Sequence, residues 1–160
     1  MSIIQTRRQR VQAGTGITVS HAGSSDTVAI DAAVQADQET GTSIAKVITP
    51  GVQQFHPSAA KCWAYVAVSG GTPTLAASYN ITSITDSGVG DLTITIGTDF
   101  SSANWASVTE VESVGAVGST ATIVKTLAKA AGSIEIITFD TGGTVRDPSI
   151  GYSFAGFGDQ

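Results

Sequence analysis

An alternating stretch between positions 79 and 96 constrains the fold of this chain more than any other part of its sequence. Two β-favouring runs, 79–85 and 92–96, flank a turn that contains two glycines. In the second run Leu92, Ile94 and Ile96 alternate with threonines, so apolar side chains share one face of a strand and hydroxyls share the other. The pattern predicts a β-hairpin with a longer loop, one face of which belongs to a hydrophobic core.

Further β-favouring runs surround this hairpin at a spacing of roughly ten residues, which is typical of all-β domains. The segment 121–130 fits both a helical and a strand period, and we take it as the antiparallel partner of the clear strand that follows Gly132. The sequence therefore predicts an antiparallel β-sandwich over residues 58–160. Its expected strands are 62–68, 74–84, 92–97, 104–113, 121–130, 134–139 and 152–157.

Residues 1–57 form a separate N-terminal region, which we expect to be an extended or short-helical arm. Its first 13 residues fit either a short helix or an extended arm, and the runs from Gly14 and from Asp26 predict a small hairpin. Helix formers over 32–40 precede Gly41, and Pro50 is placed to begin a second short helix through Gln54.

The first fifty residues contain no aromatic residue, so their burial cannot offset an ordering cost of roughly 1 to 2 kcal/mol per residue. If they are ordered, we expect other chains to help, as in a trimerising arm.

Charge is scarce and unevenly distributed. Charged residues make up 13% of the chain, against about 25% in a typical protein. The net charge of −5 argues against a nucleic-acid partner, which requires clustered lysine and arginine. The one basic cluster is Arg7, Arg8 and Arg10. This cluster is either a solubilising tail or a tether that docks on an acidic partner surface.

Cys62 is the single cysteine, which excludes an internal disulfide, and we expect it to face the core as a small apolar residue. The chain has no apolar run of 18 residues and no signal-peptide pattern after Met1. We therefore expect synthesis in a cytoplasm and no membrane insertion.

The strings KCWAY at 61–65, SYNITSITD at 78–86, GVGD at 88–91, NW at 104–105, RDPS at 146–149 and GFGDQ at 156–160 occur in this order. In order and kind they resemble a module repeated in tailed-bacteriophage fibre proteins. Leu92 and Trp105 stand where that family usually has tyrosine. Residues 32–50 resemble, more weakly, the segment that precedes the distal domain of such fibres. The resemblance implies a parallel homotrimer located in the virion and synthesised in the host bacterial cytoplasm.

The resemblance also implies partners, and the sequence offers candidate contact residues for them. We expect Arg7, Arg8 and Arg10 to anchor the chain to other virion proteins of the tail or capsid. Exposed aromatics, for which Tyr79, Tyr152 and Phe157 are the candidates, would contact a host cell-surface glycan or protein. Each of these aromatics fits a core position equally well, and Trp105, a further candidate, fits the core better.

No constellation of residues predicts catalysis, a cofactor or a metal centre. Glu110 and Glu112 share one face of a predicted strand, where a solvated face is a better interpretation than an acid–base pair. Asp86 and Asp91 bracket the hairpin loop, and capping of the turn is favoured over calcium binding. His21 and His56 have no spacing that suggests a metal site or a triad.

Two functions fit this pattern. The first is a short homotrimeric phage fibre, anchored by its N-terminal arm, that exposes a β-domain for host-surface binding. The second is a capsid fibre or decoration protein on the phage head, which the short chain length favours. A glycan depolymerase is the third hypothesis, and the lack of a suitable carboxylate constellation argues against it.

Overall fold

Antiparallel β-strands dominate the part of the chain that the computed structural model describes, which comprises residues 17–22, 25–115, 120–121 and 123–160. The chain divides into two units, 1–56 and 57–160. No helix among the described residues is long and apolar enough to span a membrane.

The first unit contains a hairpin and two short helices. Its elements are β1 (Ile17–Ala22), β2 (Ser25–Ile30), α1 (Gln35–Thr40) and α2 (Pro50–Gln53). The hairpin confirms the prediction, and Ile17 lies opposite Ile30. The predicted start of the first helix was three residues too early, because Ala32 forms a parallel bridge with Val47 and Ala33 N–H donates to the Val47 carbonyl. Gly41, at φ 62°, ends α1 as expected.

The second unit consists of two four-stranded antiparallel sheets. Along the sheets the strand orders are β4-β3-β10-β7 and β5-β6-β9-β8. The strands are β3 (Cys62–Ser69), β4 (Thr72–Tyr79), β5 (Ile81–Gly88), β6 (Asp91–Ile96), β7 (Ala106–Glu112), β8 (Ile123–Ala130), β9 (Ser133–Phe139) and β10 (Gly151–Phe157).

The β5–β6 hairpin confirms the prediction drawn from the alternating stretch, but its loop is shorter than expected. Only Val89 and Gly90 separate the strands, because Gly88 pairs with Asp91 after an irregularity in the register. The ambiguous segment at 121–130 forms a strand, β8, that pairs with β9 as predicted.

The prediction of a single strand over 74–84 is wrong, because the chain leaves one sheet for the other at Asn80. Among the described non-glycine residues, Asn80 is the one with positive φ, at 54°. Its side chain holds the bend from both ends. The amide nitrogen donates to the Lys61 carbonyl at 3.0 Å, and the amide oxygen accepts from Thr98 N–H at 2.7 Å.

The inward faces of both sheets contribute to one cluster of buried side chains. Leu92, Ile94 and Ile96 belong to it, as their alternation predicted, and so does Cys62. Trp105 is also buried, as expected; its ring stacks on Phe100 with centroids 4.5 Å apart. Members of the cluster are Cys62, Ala64, Val66, Val68, Leu92, Ile94, Ile96, Phe100, Trp105, Ile134, Ile136, Tyr152 and Phe154.

The connection between β9 and β10 is fixed by carboxylates. Asp140 accepts hydrogen bonds from the backbone N–H groups of Gly142 and Thr144, both at 2.9 Å, and pairs with Arg146 at 2.7 Å. Asp147 then accepts from Gly90 N–H at 2.6 Å. The bonds of Asp140 lie within the connection, and the bond of Asp147 ties it to the tip of the β5–β6 hairpin.

Candidate binding surface

The strands of the β4-β3-β10-β7 sheet turn alternate side chains toward the core and toward solvent. In β3, Cys62, Ala64 and Val66 are buried, so Trp63 and Tyr65 point to the opposite side. In β10, Tyr152 and Phe154 are buried in the same way. The opposite side of this sheet, which we call the outer face, is the candidate site.

A row of apolar side chains crosses all four strands on the outer face. Tyr79 lies opposite Trp63, Trp63 lies opposite Ala155, and Ala155 lies opposite Val108. Trp63 is 41% exposed, Tyr79 is 49% exposed and Val108 is 63% exposed. Large apolar side chains grouped at this exposure are typical of binding surfaces.

An open depression of about 290 Å³ lies beside this row. The side chains that line it include Trp63, Tyr65, Val108, Glu110 and Ser153. Tyr65, Ser153 and Glu110 form the next row of the sheet, because Ser153 lies opposite both of the others. In the depression, the apolar row therefore lies next to a row that carries hydroxyl and carboxylate groups.

The two carboxylates of β7 differ in their surroundings. The Tyr65 hydroxyl donates to Glu112 Oε2 at 3.3 Å. Burial, followed by the charge of Glu112, raises the pKa of Tyr65, so the hydroxyl keeps the proton that it donates. Glu110 is exposed, and its carboxylate is available to a ligand that donates hydrogen bonds.

The structure places the aromatic residues that the sequence suggested for surface contact in different positions. Tyr79 is exposed and lies in the apolar row. Phe157 is half-buried, on the same side of β10 as Ala155. The prediction of Tyr152 as an exposed contact residue is corrected, because this side chain is only 2% exposed and belongs to the core cluster. Successive side chains of a strand point to opposite faces, and Tyr152 lies on the inward side of β10 together with Phe154.

The predicted anchoring residues Arg7, Arg8 and Arg10 lie outside the described residues.

Trp63 has the largest side chain of the apolar row, and it was not among the contact residues predicted from the sequence. The signal was present, since an inward Cys62 requires an outward Trp63 in a regular strand. Its importance depends on Tyr79, which lies opposite it, and on Val108, which lies in the same row beyond Ala155. Only strand pairing brings these residues into one row.

Among the acidic residues considered for a metal or acid–base site, Asp86 caps a turn, whereas Asp91 Oδ1 is buried without a hydrogen-bond partner among the described residues. Asp86 accepts from Gly88 N–H at 3.2 Å, which is the turn capping that we favoured for this loop. Within residues 17–22, 25–115, 120–121 and 123–160, no group of three or more His, Cys, Asp or Glu residues is arranged to hold a metal ion. Glu110 and Glu112 lie on the outer face of β7.

No family model, curated protein or solved structure matches this chain.

Proposed function

We propose that this chain is a structural protein of a tailed-phage virion, a homotrimeric fibre whose residues 58–160 bind the host cell surface. The order of the motifs between 61 and 160 supports membership of the phage-fibre class. The observation that supports the binding role is the apolar row on the outer face, in which Tyr79, Trp63 and Val108 are exposed and Ala155 is half-buried. The proposed role is adhesive and not enzymatic.

We further propose that the two sheets form an antiparallel β-sandwich. Their inward residues share one buried cluster, which is the arrangement that two sheets packed face to face produce. Such a framework suits a surface protein, because a packed core holds the side chains of the outer face in fixed positions.

The proposal of a homotrimer is supported by the first unit. Its described residues expose several large apolar side chains and bury few. Because exposed apolar groups of this kind favour association, we propose that residues 1–57 trimerise and attach the fibre to the virion. The exposed side chains are Ile17, Val28, Ile30, Val34, Ile44, Val47 and Ile48.

Adsorption of the purified, fluorescently labelled full chain to host cells tests this function. We expect saturable binding that the unlabelled chain competes away. Trp63→Ala and Tyr79→Ala should each weaken binding by about tenfold or more, the loss typical of a central aromatic contact. Leu127→Ala is the matched control, because Leu127 is an equally exposed apolar residue of the other sheet.

Binding that is unsaturable, or that all three variants retain, would contradict a receptor role for the outer face. Thermal unfolding of each variant shows whether a loss of binding reflects a loss of folding.

A further inference from the structure

The outer face combines aromatic rings with carboxylates and lacks basic side chains. The four strands β3, β4, β7 and β10 contain no lysine or arginine. Glu110 and Glu112 therefore give this face a negative potential. The second unit as a whole is also acidic, since residues 57–160 carry nine acidic and four basic side chains.

This charge pattern selects among partners. Polymers that carry phosphate, sulfate or carboxylate groups would be repelled, because no cation on the four strands pairs with them. The partner that fits is uncharged and has an apolar surface to pack on Trp63 and Tyr79. It also needs hydroxyl groups that donate to Glu110. A sugar ring has both, with its C–H groups on one face and hydroxyls around its edge.

We infer that the outer face of the β4-β3-β10-β7 sheet binds an uncharged glycan, with Trp63 and Tyr79 as stacking platforms and Glu110 as a hydrogen-bond acceptor. This inference rests on the proposed host-surface binding and names its ligand class. Ser153, between Tyr65 and Glu110 in the register, supplies a hydroxyl that both donates and accepts.

The geometry of the face favours a sugar over a small cation. A cation is best held by rings that surround it on several sides. Here Trp63 and Tyr79 are neighbours in one row of a sheet, so they offer a surface and not a cage. One of the two carboxylates, Glu112, already accepts a hydrogen bond from Tyr65.

The dimensions of the row also fit a chain of sugars. Four strands at a spacing of about 4.8 Å give a row roughly 14 Å long from β4 to β7. A glycan chain that crosses the strands therefore meets Tyr79, Trp63 and Val108 in turn.

Chemical treatment of host cells tests this inference with the full-length chain. One sample of cells is oxidised with periodate, which cleaves sugar diols, and a second is digested with proteinase K. We expect periodate to abolish adsorption and the protease to leave it unchanged. The opposite result would overturn the glycan inference and leave the proposed receptor-binding function standing, whereas failure to adsorb to untreated cells would contradict the function itself.

Two further arms test the charge and the contact residues. Salt between roughly 0.05 and 0.5 M NaCl screens exposed charge pairs. An uncharged ligand forms no such pairs with the protein, so its adsorption should change less than about twofold over this range. A strong decline with salt would overturn the assignment of an uncharged partner.

Glu110→Gln keeps the size of the side chain, removes its charge and should weaken binding by about tenfold, since hydrogen bonds to charged groups are the stronger ones. Glu135→Gln, on strand β9 of the other sheet, is the matched control. Equal binding by the two variants would remove Glu110 from the site.

Discussion

At the scale of single residues, two glycines of the motif strings that resemble phage fibres have packing roles. A Cβ atom at Gly156 would lie 2.7 Å from Cys62 Sγ, and one at Gly158 would lie 2.7 Å from the Trp105 Cβ. Both contacts are closer than side chains tolerate. These two glycines of the motif strings therefore serve the packing of the core, whereas Trp63 and Tyr79, which belong to the same set of strings, are exposed and support the binding proposal.

The thiol of Cys62 should not react with thiol reagents in the folded protein. Its side chain is fully buried, and burial raises the pKa of the thiol to about 11, which leaves very little thiolate at neutral pH. We expect no reaction with a thiol reagent on the minute scale at about pH 8, and complete reaction in denaturant. The measurement is absorbance after addition of a chromogenic disulfide. Equal rates in the two conditions would contradict the buried position.

Gly90 should be the least replaceable glycine of the hairpin tip. Its φ is +67°, and a Cβ atom there would lie 2.8 Å from the Arg146 carbonyl oxygen and 2.9 Å from the Thr138 carbonyl oxygen. Gly70 has a similar φ of +59° with open space around it, so Gly70→Ala carries only the backbone strain.

We expect Gly90→Ala to lower the free energy of unfolding by about 1 to 3 kcal/mol more than Gly70→Ala does. Urea unfolding of both variants measures the difference. Equal losses would show that the connection at Arg146 does not pack on Gly90.

At the scale of elements, the sequence predicts those strands and turns whose cause lies within a short stretch of the chain. The hairpins and the strand at 121–130 follow from alternation and turn residues that lie next to each other in the chain. The break at Asn80 does not, because the β-favouring run continues through it. Its cause is a pair of side-chain bonds to Lys61 and Thr98, which approach Asn80 only in the folded chain.

The order of the strands within each sheet also could not be predicted from the sequence. β10 lies between β3 and β7, and β9 lies between β6 and β8. These neighbours are far apart in the chain, and alternation alone does not choose among pairings of similar strands. The outer face was missed for the same reason, since Tyr79, Trp63 and Val108 meet only through this order.

The connection between β9 and β10 should make stability depend on acid. The hydrogen bond from Arg146, followed by that from Thr144 N–H, lowers the pKa of Asp140 below its ordinary value of 3.8. A carboxyl with a depressed pKa stabilises the fold above its unfolded pKa, and this contribution is lost as the pH falls through its folded pKa.

We therefore expect Asp140→Asn to lower the Tm near pH 7, and the gap from the parent chain to narrow below about pH 4. Arg146→Gln removes the main cause of the shift and should show the same narrowing. Melting curves at a series of pH values test both variants. A gap that stays constant with pH would contradict the ion pair.

At the scale of the whole molecule, the exposed apolar residues of the first unit predict an oligomer. The full chain should have three times its own mass of 16.2 kDa in solution. Ile30→Ser combined with Ile44→Ser should shift the population toward monomer, because both side chains are exposed in the single chain. Leu127→Ser, in the other unit, is the control.

Sedimentation equilibrium at several concentrations measures the mass of these species. A monomeric parent chain would contradict the trimer.

Immunogold labelling of intact virions, with antibody against residues 58–160, shows whether the protein is part of the virion and where on the particle it lies. We expect gold at the tail end of the particle, where a host-binding fibre projects. Gold spread over the head would contradict a receptor-binding fibre and support a capsid fibre or decoration protein. Particles without label would contradict a place in the virion altogether.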